Sequence, residues 1–206
     1  MPRSNRCVLT TVRVCVRARC ARCGGVAWLW PDVAAFRVLK SLLGTSVESY
    51  EGIANRQSRL AQLESNDPSV GVATAFNRFY RDTGLFGVYA AADEANAGTS
   101  FKKVAEAIKA SASVSAEELT RAKNQAKMEY LSSVDFTCGL RNDIGSQLLL
   151  TNARAEASAV AAAIDAVTAA DVERAATGAL ASDVSVAAVG AVANVPRYGT
   201  ASKLFA

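Results

Sequence analysis

The sequence predicts an α+β domain in which helices pack on one face of a mixed or antiparallel β-sheet. Two apolar-rich runs, Val70–Tyr80 and Leu85–Ala91, flank the turn Asp82-Thr83-Gly84 and read as a β-hairpin. Three stretches with helical apolar spacing follow, then more helical patterns and a short apolar strand, so strands and helices are segregated. That order does not suit a doubly wound nucleotide fold. No G-x-G-x-x-G or P-loop is present, and Gly84-Leu85-Phe86-Gly87 is too short and too strand-embedded to cradle phosphate.

The elements can be justified in order. Asp32 to Leu43 reads as a helix, with Ala35, Val38, Leu39 and Leu42 at i, i+3, i+4 and i+7 and Gly44 as its stop. Thr45 to Gln57 is polar and reads as a loop; Ser58 to Glu64 is a second helix, broken at Asn66-Asp67-Pro68. In the next strand Val70, Val72, Thr74, Phe76, Arg78 and Tyr80 share one face, and Gly71, Ala73, Ala75, Asn77 and Phe79 the other. Phe76, Phe79, Tyr80, Phe86 and Tyr89 are expected to serve core and sheet packing. Phe101, Val104, Ala105 and Ile108 form a helical stripe, with Thr99 or Ser100 as N-cap.

Ser115 and Glu118 supply the S-x-x-E capping box of the next helix, whose core face would use Leu119, Ala122, Ala126 and Tyr130. Arg121, Lys123 and Lys127 are expected on a solvated face. Leu140, Ile144 and Leu148 define a third helix. Alanine-rich helices follow at Val160–Val167 and Val172–Leu180, the latter opened by Thr168-x-x-Asp171. Val184 to Gly190 is a closing strand.

Composition removes whole classes of chemistry. The chain has 206 residues and no histidine, so Ser-His, Cys-His and His-zinc arrangements cannot be built. The net charge of +4 is unevenly placed. Arg3, Arg6, Arg13, Arg17, Arg19 and Arg22 stand against Asp32 alone in residues 1–33, while the rest is nearly balanced. The folded part therefore presents no cationic face for nucleic acid. No apolar run approaches the roughly 20 residues that span a bilayer. Four of the five cysteines, Cys7, Cys15, Cys20 and Cys23, share the arginine-rich segment, but their spacing matches no paired zinc pattern. Cys138 is expected to be a small buried hydrophobe.

Residues 1–33 admit three readings: a transit-like leader, a β-ribbon because VLTTVRVCVRARC alternates with period two, or sequence unrelated to the domain. The third is preferred. It divides the chain into an atypical segment, 1–33, and a domain, 34–206. It further implies a sheet with a missing edge strand, a weakly packed N-terminal segment and a chain prone to associate.

The order of elements, with AFRVLKSLLG (Ala35–Gly44), SRL (Ser58–Leu60), VGVATAFNRFYRDTGLFGVYAAADE (Val70–Glu94), FKKVAEAIKASAS, SAEELTRAKNQAKMEYLSSVDF and CGLRNDIGSQLLL, resembles the C-terminal domain of the mitochondrial processing-peptidase family and its insulinase- and pitrilysin-like relatives. The likeness runs from about Pro31 to Ala206. In that family the H-x-x-E-H metal motif belongs to the N-terminal domain, so the resemblance implies a non-catalytic chain with no catalytic, cofactor-binding or metal-ligating residue. Thr45–Gln57 lacks the glycine-rich loop of the processing-peptidase α subunit, which favours the core-protein-2 branch. The implied function is a structural core subunit of respiratory complex III that lacks the N-terminal domain. Its implied place is the matrix side of the mitochondrial inner membrane. Its implied partners are other complex III subunits, core protein 1 above all, in a dimeric complex that reaches the membrane only through partners. The alternative is a regulatory, non-catalytic α-type subunit of the processing peptidase.

Overall fold

A computed structural model describes residues 9–18, 31–44, 57–80, 84–181 and 184–205. Its elements run β1 (Leu9–Ala18), α1 (Pro31–Leu43), α2 (Arg59–Asn66), β2 (Val72–Phe79), β3 (Gly84–Asp93), α3 (Ala97–Ala110), α4 (Ala116–Asp135), α5 (Thr137–Thr151), α6 (Ala157–Asp165), α7 (Ala169–Leu180), β4 (Val184–Val189) and α8 (Tyr198–Lys203). The four strands form one sheet in the order β2-β3-β1-β4, and every pair is antiparallel. Helices cover one face, as the segregated pattern predicts. Most of the expected loop 45–57, the turn residues Asp82 and Thr83, and Cys7, Cys20 and Cys23 lie outside the described residues.

The N-terminal segment departs from the weak packing expected of it. Leu9–Ala18 is an interior strand of the sheet, with Val14 opposite Val88 on one side and Val186 on the other. Its period-two pattern is what a pleated strand needs, and that pattern outweighs the change in composition at residue 33. The sheet thus crosses the division drawn between segment and domain. Backbone amides of Val12, Val14 and Val16 are expected to exchange as slowly as those of Val72–Phe76 in native-state hydrogen exchange. Exchange at the rate of an unstructured peptide would contradict the pairing.

Register decides which side chains meet the helices. Phe86, Val88 and Ala90 of β3 and Ala73 and Ala75 of β2 point into the core. The β2 face that packs is therefore the small one, while Phe76 opposite is only half-buried and Tyr80 is exposed. The reason is the close approach of α1. The Gly44 carbonyl accepts the Ala75 N–H at 2.9 Å, which fixes the end of α1 against β2. Gly44 itself closes α1 with φ 76°, and its N–H bonds the Lys40 carbonyl at 2.7 Å. Left-handed backbone of this kind suits a residue without Cβ.

The core stacks Phe36, Val38, Leu39, Leu42 and Leu43 of α1 against the sheet and the later helices, with Phe36 and Phe86 ring centroids 5.8 Å apart. Phe101 meets Phe205 edge-on at 6.3 Å, tying α3 to the chain end beyond α8. Both expected capping boxes are present, Ser115 with Glu118 and Thr168 with Asp171.

Two local expectations are corrected. Helix α3 begins at Ala97 with Asn96 as N-cap, so Thr99 and Ser100 are internal; a 3-10 turn at Glu94–Asn96 feeds the chain directly into the helix. The helix expected from Leu140, Ile144 and Leu148 is present as α5, with Leu148 exposed and Leu140 and Ile144 half-buried. Helix α5 packs chiefly on α4, so it lacks a second layer that would bury its apolar stripe. Cys138 is exposed rather than buried, because it sits on the first turn of that same outlying helix.

Candidate functional site

The polar interior is concentrated where α1, α4 and α5 meet. Gln147 is fully buried. Its Nε2 donates to Asp143 Oδ2 at 2.7 Å, and its Oε1 accepts the Ala155 N–H at 2.7 Å. The same Asp143 oxygen accepts the Tyr130 hydroxyl at 3.2 Å. Above the Tyr130 ring lies the Arg37 guanidinium, 4.8 Å from the centroid, a cation–π distance. Three helices and the α5–α6 connection are joined by these four side chains.

The electrostatics of this cluster oppose catalysis. Burial, followed by the negative charge and hydrogen bond of Asp143, pushes the Tyr130 phenol up to about 12. A phenol held that firmly in its protonated form is a poor nucleophile or base near neutral pH. Burial lowers the Arg37 guanidinium, while Tyr130 and Asp143 act in the opposite direction. Arginine stays charged in any case, so the group is a fixed cation and its geometry is structural. Among the described residues, no three potential ligands drawn from cysteine, aspartate and glutamate come together as a metal would require.

A second cluster locks α2 to the α3–α4 junction. Arg59 donates through Nε and Nη2 to both oxygens of Glu118, at 3.3 and 3.0 Å. It also donates to the carbonyls of Ser113, at 2.6 Å, and Ala110. Glu118 simultaneously accepts the Ser115 N–H at 3.1 Å. The Arg59 hydrogen bond, aided by Ser115, holds the Glu118 carboxyl below its ordinary range despite the opposing effect of burial. Thr168 does the same for Asp171.

These depressed values set the sign of the pH dependence. Each folded carboxylate binds its proton less readily than the unfolded one, so its contribution is complete above the unfolded value near 4 and disappears as pH falls through the folded value. Urea stability should therefore decline from about pH 5 downward. Glu118→Gln should flatten part of that decline. An unchanged acid limb in the variant would remove Glu118 from the account.

Basic residues expected on a solvated face of α4 serve as tethers. Lys127 pairs with Asp165 at 2.7 Å, Lys123 donates to the Asp165 carbonyl at 3.0 Å, and Arg121 reaches Gln57. Met128, Leu131, Phe136, Leu148 and Leu149 leave an apolar exterior along α4 and α5. The sequence offered no catalytic, cofactor or metal residue to place. What it missed was the buried set Arg37, Asp143 and Gln147. The available signal was a charge inside the apolar run AFRVL and an amide inside SQLLL.

A family model described as the Peptidase M16 inactive domain matches residues 22–126, about half of the chain. A probable mitochondrial-processing peptidase subunit beta from Arabidopsis thaliana is 37% identical over 153 residues, 74% of this chain and 29% of that protein. Subunit alpha-2 of the mitochondrial-processing peptidase from Dictyostelium discoideum is 34% identical over 145 residues, 70% of this chain and 33% of that one. Cytochrome b-c1 complex subunit 2 from Rattus norvegicus is 36% identical over 148 residues, 70% and 32% respectively. The chain thus spans about a third of the length of these relatives. A chain in the structure of Complex III2 from Candida albicans, Inz-5 bound, superimposes with a TM-score of 0.82 at 20% identity, covering 96% of this chain and 46% of that one. That superposition shows a shared fold.

Proposed function

The chain belongs to the Peptidase M16 inactive-domain family, and from that premise we propose that it is a non-catalytic structural core subunit of mitochondrial respiratory complex III. The observation that carries this reading is how the interior polar groups are used. Arg37, Tyr130, Asp143 and Gln147 are spent on joining helices, and Tyr130 is held protonated. The absence of histidine from the sequence agrees with it, as does 36% identity to a cytochrome b-c1 complex subunit 2. Its place is the matrix face of the inner membrane, held there by protein partners, core protein 1 foremost. No helix among the described residues is long and apolar enough to cross a membrane.

A second reading, a regulatory α-type subunit of the processing peptidase, is favoured by the 34% identity to the Dictyostelium subunit alpha-2. Native electrophoresis of solubilised mitochondria separates the two. Co-migration with the cytochromes of complex III is the expected result. Migration with a soluble peptidase heterodimer selects the second reading, and migration with neither overturns both.

A further inference from the structure

We propose that the outward faces of α4 and α5 form a contact between two copies of this chain. The α5 of one copy lies antiparallel on the α4 of the other. The inward side of α4 carries Ala122, Ala126 and Tyr130, and that of α5 carries Gln147. Met128, Leu131 and Asp135, at i, i+3 and i+7, share the opposite side of α4, and all three are exposed. Arg141, Gly145 and Leu148, at i, i+4 and i+7, run along the side of α5 turned away from Gln147. Helix α5 packs chiefly on α4, so this side has no neighbour of its own.

Read in opposite directions, the two stripes have the same intervals and complementary chemistry. Asp135 stands across from Arg141, Leu131 from Gly145 and Met128 from Leu148. A Cβ at Gly145 would meet nothing within 4 Å, so the helix surface there is an open hollow that suits a leucine from outside. Met128 and Leu148, 50% and 48% exposed, cover each other's apolar surface. Neither Asp135 nor Arg141 joins an ion pair among the described residues. Asp135 is also the last residue of α4, where the helix carbonyls already gather negative charge, so an outside cation relieves it. Arg141 donates to the Cys138 sulfur at 3.3 Å through Nη2, which leaves the rest of its fork to a carboxylate. Charge selects the occupant. Each copy presents an acid on one stripe and a base at the matching end of the other, so a second copy supplies both complements. The contact can be made twice about one twofold axis. It joins like chains and does not depend on assembly into complex III.

The test is sedimentation of the purified full chain over a concentration series. The wild-type chain is expected to reach the mass of a dimer. Asp135→Arg and Arg141→Asp each set like charges against one another, and each alone should weaken dimerisation at least about tenfold. An equimolar mixture of these two variants restores an attractive pair on both sides, so a mixed dimer should form. Gly145→Leu fills the hollow with a better helix former and should abolish the dimer while the circular dichroism stays that of a folded chain. Lys102→Glu, an exposed site on α3, should leave the dimer intact. A wild-type chain that stays monomeric throughout the series overturns the proposal in favour of a different partner for these faces. Dimerisation of either charge variant as tight as wild type, or a mixture no more associated than its components, overturns it as well.

Discussion

Replacing Phe86 with alanine is expected to cost about 3–5 kcal/mol, among the largest losses that one substitution can cause. Phe86 is 1% exposed, lies in the first half of β3 and packs its ring against Phe36 of α1. Deleting it removes buried apolar surface and leaves a void between sheet and helix that Ala73 and Ala75, already methyl-sized, cannot fill. Against a total stability of about 5–15 kcal/mol for a typical domain, that is a large share. Urea denaturation is the measurement, with Tyr80→Ala as its control. Tyr80 is 52% exposed, so its loss should change stability by only about 0.5 kcal/mol. Comparable midpoints for the two variants would contradict the assignment of the packed face.

Gln147→Ala is expected to cost about 2–4 kcal/mol, more than truncating either leucine beside it. The amide holds the Asp143 carboxylate with one end and the Ala155 N–H with the other. Its removal leaves the buried Ala155 N–H without its acceptor, takes one donor from the half-buried Asp143, and opens a gap. Leu149, 83% exposed, should tolerate alanine with a change of about 0.5 kcal/mol. A helix that loses more from its glutamine than from its leucine inverts the usual expectation. Should Leu149→Ala prove the costlier change in the isolated chain, the orientation of α5 would have to be revised.

These two cases show what the sequence makes legible. Local signals are legible: the capping boxes at Ser115 and Thr168, the stop at Gly44, and the apolar stripes of α1 and α3 are each specified within one or two turns. Facing is decided by tertiary partners and was harder. β2 alternates cleanly, but only the approach of α1 selects Ala73 and Ala75 over Val72 and Phe76. Leu140, Ile144 and Leu148 have the spacing of a core stripe, yet α5 has a neighbour on one side only. The same limit hid the polar cluster, since Arg37 and Gln147 are unremarkable until α1, α4 and α5 converge. For the N-terminal segment, composition argued one way and periodicity the other. Pairing partners far along the chain resolved the conflict in favour of periodicity.

That pairing also orders events during synthesis. β1 is made before every other described element, and β3 can join it once the β2–β3 hairpin has formed. Its other neighbour, β4, is made only after all the helices from α1 to α7. At roughly 5–20 residues per second, the far edge of β1 waits several seconds or more without its native partner. The exposed segment, LTTVRVCVRA, alternates β-branched residues with arginine. In sequence, Arg13 and Arg17 interrupt an apolar alternation of the kind that templates association between nascent chains. The arginine-rich character of the segment is thus a property suited to a strand that must stay soluble until its partner is made.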